Sequence, residues 1–232
     1  MEVRINRYLS EAGVCSRRAA DTYIDEGKVL IDGITATKGS KVTEGNVVIF
    51  CGEVVCPKTD RVVLAFNKPV GVTCTASSED KDNIVDYINY GERIYPVGRL
   101  DKDSQGLILL TNDGEMTNRI LKVSNDHEKD YVVTVNKPVT QEFIDGMAKG
   151  VPILGKVTRK CRIWKTDERT FHIVLMQGLN RQIRRMCGYF GYSVVKLKRI
   201  RIMNIKLGGL AVGTYRRVEK EELAELLRQL GM

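Results

Sequence analysis

Only two histidines, His127 and His172, occur in the 232-residue chain, and its six cysteines never fall as a CxxC pair. A zinc site at the usual ligand spacings is therefore excluded. The scattered Cys15, Cys51, Cys56, Cys74, Cys161 and Cys187 are expected to stay reduced, as in a cytoplasmic protein. No apolar run approaches the roughly 20 residues that cross a bilayer, so no membrane partner is expected. The opening MEVRINRYL has no apolar core of a secretory signal. A Walker A loop, a dinucleotide fingerprint, an internal repeat and low-complexity tracts are also missing. These absences agree with chemistry that needs no cofactor and no metal.

The most informative absence is local. From Arg169 to Val218 there are eleven Lys or Arg and not one Asp or Glu. Overall, 37 Lys plus Arg against 29 Asp plus Glu give a formal charge of +8, which favours an anionic partner without naming it. A solvated face normally mixes signs, because like charges at helical spacing repel by about 0.2–0.5 kcal/mol per pair. In NRQIRRMCGYF, the residues Ile183, Met186, Cys187 and Phe190 form a core stripe, leaving Arg181, Arg184 and Arg185 outside it. KLKRIRIMNIK adds Lys196, Lys198, Arg199, Arg201, Asn204 and Lys206 on or beside a strand. A patch kept for solubility is the plain explanation, but the length of the acid-free stretch favours a phosphate-binding face. Near the start, Arg17 and Arg18 open a helix where the backbone dipole prefers acids. An anion is expected to meet them there.

Ile5, Tyr8, Leu9 and Ala12 form a helical stripe that Gly13 ends. Ser16 caps a second helix, RRAADTYIDE, which Gly27 closes. KVLI, the turn dipeptide Asp32-Gly33, ITATKG and NVVIF carry β character. These predict a small domain over 1–56 and a linker over 57–61, where Pro57 sits. A second domain is predicted over 62–232. There VVLAFNK, LILLTN, DYVVTVN, FHIVLM and SVVKLKRIRIM read as strands, and helices fit near 83–90, 115–121, 141–149, 180–190 and 219–230. Strands outnumber helices and do not alternate with them. The fold class is α+β, with a mainly antiparallel or mixed sheet.

Residues 98–114 read GRLDKDSQGLILLTNDG. Asp101, Asp103, Gln105 and Gly106 overlap a calcium-loop pattern, but Asn112 stands where the bidentate Glu belongs, and strand rather than helix follows. A surface turn would use the same polar residues, yet Leu100 is wedged between Arg99 and Asp101, beside the buried LILL run. The third possibility is a catalytic carboxylate among cations.

This segment resembles the catalytic motif of pseudouridine synthases, in the branch that acts on bacterial ribosomal RNA. RINRYLSEAGVCSRRAADTYIDEGKVLIDG is similar to an S4 RNA-binding domain. NKPVGVTCT, NDHEKDYVVTV, GVPILGKVT and QGLNRQIRRMCGYFGY resemble other blocks of that branch. The resemblance implies an isomerase of uridine in RNA, with 23S rRNA as substrate and tRNA or 16S rRNA as the alternative target. A monomer is expected. An S4-type protein that only binds RNA, in ribosome assembly, is the alternative of a different class. The resemblance puts the catalytic carboxylate on Asp101, its guanidinium partner on Arg184 and the active-site tyrosine on Tyr131. Spacing alone does not separate Arg184 from Arg181 and Arg185, and by residue pattern alone Tyr131 is a half-buried strand tyrosine. Arg99 is similar to the side chain that fills the stack when the base is flipped out. Arg17, Arg18, Leu100, Lys102, Lys129, Arg181, Gln182, Arg185, Arg199, Arg201 and Asn204 complete the expected RNA contacts.

Overall fold

A computed structural model of the chain describes residues 2–56, 60–77, 79–122 and 126–232. These divide into two compact units. One holds the described residues up to Arg61 with 90–94 and 112–114, and the other holds the rest. Residues 57–59 of the expected linker, and Asn125 of the NDHEKDYVVTV block, lie outside the described residues.

The first unit carries β1 (Val3–Arg4), α1 (Ile5–Glu11), α2 (Arg17–Asp25), β2 (Val29–Ile31), β3 (Ile34–Thr35), β4 (Lys41–Val42), β5 (Val48–Phe50) and β6 (Glu53–Val55). Its sheet runs β3-β2-β5-β6, all antiparallel, and β1 pairs with β4. Asp32 and Gly33 have φ of 50° and 79°, the two left-handed residues that a type I′ hairpin requires. Ser16 Oγ accepts the Ala19 N–H at 3.1 Å and so caps α2. Ile5, Leu9, Ala20, Ile24, Val29 and Val48 bury the apolar sides of both helices and the sheet.

The second unit begins with β7 (Val63–Lys68), α3 (Ile84–Ile88), β8 (Tyr95–Pro96), β9 (Gln105–Thr111) and α4 (Gly114–Leu121). Then come β10 (Lys129–Val135), α5 (Gln141–Lys149), β11 (Pro152–Ile153), β12 (Lys156–Val157), β13 (Arg162–Asp167) and β14 (Thr170–Leu175). It ends with α6 (Gln182–Tyr189), β15 (Val194–Ile202), β16 (Ile205–Lys206), β17 (Tyr215–Arg217) and α7 (Lys220–Leu230). The main sheet runs β13-β14-β10-β15-β9-β7-β17, with β16 on β15 and β8 on β9. Of these strand pairs only β9 and β15 run parallel. The sheet is thus mixed and mainly antiparallel, as the strand-rich pattern implied.

Strand β7 is buried along its whole length and β9 almost so, because both faces of this half are covered. Val63, Ala65, Leu107 and Leu109 pack against Met116 and Ile120 of α4 and Leu226 and Leu230 of α7. On the opposite face of the other half, Phe143 of α5 meets Phe171 of β14 at 5.4 Å between ring centres. Two helices are shorter than expected. Asn89 at φ 45° ends α3, and Arg181 at φ 49° delays α6 until Gln182. Strand β13 escapes sequence reading because it is an edge strand whose RIWKTD has little apolar alternation.

Candidate active site

The loop from Arg99 to Ser104 enters β9 and is fastened at both ends. At its start, the Leu100 N–H donates to Cys74 Sγ at 3.3 Å. Leu100 itself is buried, so the side chain anchors the loop. At its end, the Ser104 N–H returns to Asp101 O at 3.0 Å, which closes a turn and leaves both aspartate side chains outward. Arg199 of β15 spans the loop from beneath. Its Nε donates to Leu107 O at 2.6 Å and its Nη1 to Arg99 O at 3.4 Å. The same guanidinium lies 6.0 Å from the centre of the Tyr131 ring. That is the outer limit of a cation–π contact.

This close approach of β9 to β15 depends on one residue. Gly106 pairs with Arg199 and has φ of 112°, and a Cβ there would sit 2.3 Å from Arg199 O. No other amino acid fits.

The acids and cations then sort themselves. Arg181 donates bidentately to Asp103, at 2.9 and 3.2 Å, and its Nη1 lies 3.7 Å from Asp101 Oδ2. The Arg181 hydrogen bonds hold the Asp103 carboxyl below the usual carboxylate range, against the opposing pull of desolvation. Arg184 donates to Asp103 O at 3.0 Å, Ser104 Oγ at 3.2 Å and Val194 O at 3.2 Å, with Asp103 Oδ2 3.3 Å away. Arg184, expected beside Asp101, binds Asp103 and Ser104 in this structure, and Arg181 is the cation within 4 Å of Asp101 among the described residues. Arg184 sits in the first turn of α6, where three oxygens capture its fork. Arg181, ahead of that turn with a left-handed backbone, is the cation left to face Asp101. Asp101 is one-third exposed and accepts no side-chain hydrogen bond from the described residues.

Other expected contacts fall in different places. Gln182 is buried, where its Oε1 accepts the Leu179 N–H, and Arg199 is buried as described. Neither side chain, nor that of Leu100, is open to an RNA strand. Arg185 bonds to Asn180, and Lys102 pairs with Asp82 at 2.9 Å. Arg99 is exposed beside the loop. Arg201 and Asn204 line a separate depression of about 300 Å³ with His127, Glu128 and Gln229. Burial, reinforced by the Arg199 charge, pulls Lys129 down to about 8. Arg17 and Arg18 are exposed at the start of α2 in the first unit.

Residues 62–189 match the family described as RNA pseudouridylate synthase, and residues 3–48 match the S4 domain. The chain belongs to the RNA pseudouridylate synthase family. It is 54% identical over 228 residues to the dual-specificity RNA pseudouridine synthase RluF of Escherichia coli (strain K12), covering 97% of this chain and 79% of that protein. Identity to the ribosomal large subunit pseudouridine synthase B of Bacillus subtilis (strain 168) is 34% over 233 residues, covering 96% and 95%. A crystal structure of a pseudouridylate synthase superposes with a TM-score of 0.71 at 27% identity, covering 97% of this chain and 99% of that one. This chain is thus an RNA pseudouridine synthase with an S4 domain, and the reading of a purely RNA-binding protein is set aside.

Sequence reasoning missed one member of this pseudouridine synthase's loop support. Lys68 ends β7 fully buried, its Nζ donating to Pro69 O at 2.7 Å and Val72 O at 2.8 Å. Burial lowers its pKa, while Cys74, Asp103 and Asp101 act to raise it. The available signal was a lysine at the end of the otherwise apolar run VVLAFNK.

Proposed function

We propose that this pseudouridine synthase isomerises a uridine of 23S rRNA, with Asp101 as its catalytic carboxylate. The observation that carries the assignment is the unequal treatment of two neighbouring acids. Asp103 is consumed by Arg181 and Arg184, whereas Asp101 keeps its oxygens free beside one guanidinium. A carboxylate that must stabilise or attack a cationic sugar needs that combination of negative charge and open lone pairs. The similarity to a ribosomal large subunit pseudouridine synthase of Bacillus subtilis supports the 23S target. The Escherichia coli relative is called dual-specificity, which is compatible with a second RNA substrate, and tRNA is the one we propose.

Isomerisation breaks the N1–C1′ bond, turns the uracil and joins C5 to C1′. The proton leaves C5 and N1 ends protonated, so no atom is gained or lost overall. The Tyr131 ring would stack on the uracil and its hydroxyl would take part in removing the C5 proton. Arg184 and Arg199 act on the loop rather than on the base. A stacked uridine cannot reach Asp101, so it must be flipped out at a cost of a few kcal/mol, with exposed Arg99 filling the gap. Lys102, Lys129, Arg181 and Arg185 are the RNA contacts of this unit. Residues 1–56, with Arg17 and Arg18, form the S4 domain, 57–61 the linker and 62–232 the catalytic domain. The reaction belongs in the cytoplasm, where rRNA is available.

Asp101→Asn is expected to abolish pseudouridine formation in transcribed 23S rRNA and to leave RNA affinity within a few fold. Pseudouridine made at the wild-type rate by this variant would remove Asp101 from the mechanism. Deletion of 1–56 is expected to weaken RNA binding and flatten its salt dependence, and unchanged affinity would reject the S4 assignment.

A further inference from the structure

The main sheet has a second face, and half of it is bare. Strand register places Trp164 opposite His172, His172 opposite Val132, and Val132 opposite Lys198. Thr134 lies opposite Thr170 and Lys196, and the two threonine hydroxyls are 3.2 Å apart. Alternation puts Tyr131, Arg199 and Ile173 on the other side of the sheet. Across β7 and β9 this second face is sealed by α4 and α7. Across β13, β14, β10 and the first half of β15 most of it is not, although Val174 is buried and Ile200 and Ile202 of β15 join the covered cluster. There Trp164 is 43% exposed, and Lys196 is exposed too.

Trp164 stacks on His172 with ring centres 5.1 Å apart and planes at 27°. A cross-strand aromatic pair stabilises a hairpin by about 0.2–1 kcal/mol, which explains the stack but not the open side of the indole. The charges around it are telling. Arg162 and Arg201 are held by Glu128, at 2.6 and 2.9 Å. Lys196 and Lys198 have no carboxylate within 4 Å among the described residues. The face therefore offers a flat aromatic on β13 and, three strands away on β15, two ammonium groups free of carboxylates, with Asp130 between them 3.7 Å from His172. Its solvent-reachable apolar content, little more than Trp164 and Val132, is too small for a protein–protein core.

We infer that this face, formed by Trp164, His172, Lys196 and Lys198, is a second RNA-binding surface that holds unpaired nucleotides of the substrate outside the reacting loop. One base stacks on the indole, and the lysines neutralise adjacent phosphates. Aromatic stacking suits unpaired bases of any sequence, because each has a π-face. The inference deepens the RNA-modifying reading and rests on it.

Trp164 is the sole tryptophan of the chain, so intrinsic fluorescence of the unlabelled full-length protein reports this face directly. The probe is an rRNA fragment that the wild-type protein converts, bearing single-stranded flanks, and the same fragment trimmed of them. The flanked RNA should quench Trp164, and the trimmed RNA should not. Trp164→Ala should weaken binding of the flanked RNA about five-fold or more, raising KM while kcat holds. Lys196→Glu with Lys198→Glu should lower the salt slope of binding by about 1.4, two single-strand phosphates' worth. The lysine pair carries the test if Trp164→Ala does not fold. Emission unmoved at saturating flanked RNA, or variants that bind both RNAs like wild type, would overturn the inference. So would quenching by a ribosomal protein with none by RNA. The titration repeated in Asp101→Asn keeps this outcome separate from that of the catalytic assignment.

Discussion

Replacing Gly106 with Ala tests the support of the active-site loop at its tightest point. The parallel contact of β9 with β15 consists of two register pairs, Lys198 with Gln105 and Arg199 with Gly106. An added Cβ would lie 2.3 Å from Arg199 O and 2.7 Å from Arg199 N, where ordinary contact begins at 3.4 Å. About 1 Å of separation must therefore be found from rigid backbone on both sides. The residue also holds φ of 112°, a conformation that costs an L-residue about 1–3 kcal/mol. Moving β15 away strips Leu107 O of the Arg199 Nε bond at 2.6 Å, a charged hydrogen bond worth about 1.5–3 kcal/mol. Alanine returns about 0.4–1 kcal/mol by restricting the unfolded chain. The net expectation is a loss of about 2–6 kcal/mol, a large share of the roughly 5–15 kcal/mol that holds such a fold. Denaturant unfolding at matched slope measures it. Gly178→Ala is the control, since Gly178 has open space around its Cβ position. Turnover should fall with stability, because Arg199 also holds Arg99 O. If Gly106→Ala unfolds within about 1 kcal/mol of the control and turns over normally, β9 and β15 do not meet as described.

Three further outcomes follow from the same geometry. Arg184→Lys should fold yet lose about 2–4 kcal/mol of transition-state stabilisation, because one ammonium cannot reach Asp103 O, Ser104 Oγ and Val194 O together. Near-normal turnover would make Arg184 an ordinary phosphate contact. Lys129, lowered from 10.5 to about 8, gives up its proton in the folded protein while the unfolded chain keeps it. Its contribution to stability should therefore rise with pH between about 8 and 10.5. Lys129→Met should flatten that slope, and an unchanged pH profile would show the ammonium to be well solvated. Burial pushes Cys187 up to about 12 and Cys161 to about 11, whereas Cys51 and Cys56 are exposed. A thiol reagent should thus label Cys51 and Cys56 first, and reach Cys187 only on unfolding. Early modification of Cys187 would contradict its burial.

Much of the architecture was legible because it depends on neighbours in the chain. Residues 141–149 form a helix as their stripe requires, and Thr140 Oγ1 caps it by accepting the Phe143 N–H. Asp32-Gly33 makes the expected hairpin. The runs VVLAFNK and LILLTN became adjacent buried strands. The motif GRLDKDSQGL marked the loop that holds Asp101, with Gly106 at the point of close approach.

The acid-free stretch from Arg169 to Val218 misled in one respect. It lacks acids in sequence but not in space. Five of its eleven cations, Arg181, Arg184, Arg201, Arg216 and Arg217, lie within 4 Å of carboxylates. Arg181 meets Asp103 across 78 positions of chain. Arg199 is buried rather than offered to RNA.

The sequence by itself determined which segments coil, which extend and where an acid stands among cations, because helix stripes, caps and turn residues act over a few positions. Only the tertiary structure decided which arginine faces Asp101, why Gly106 admits no side chain, and that half a sheet face is left bare. Ion pairs and close packing depend on separation in space, and folding brings together atoms that the chain keeps far apart.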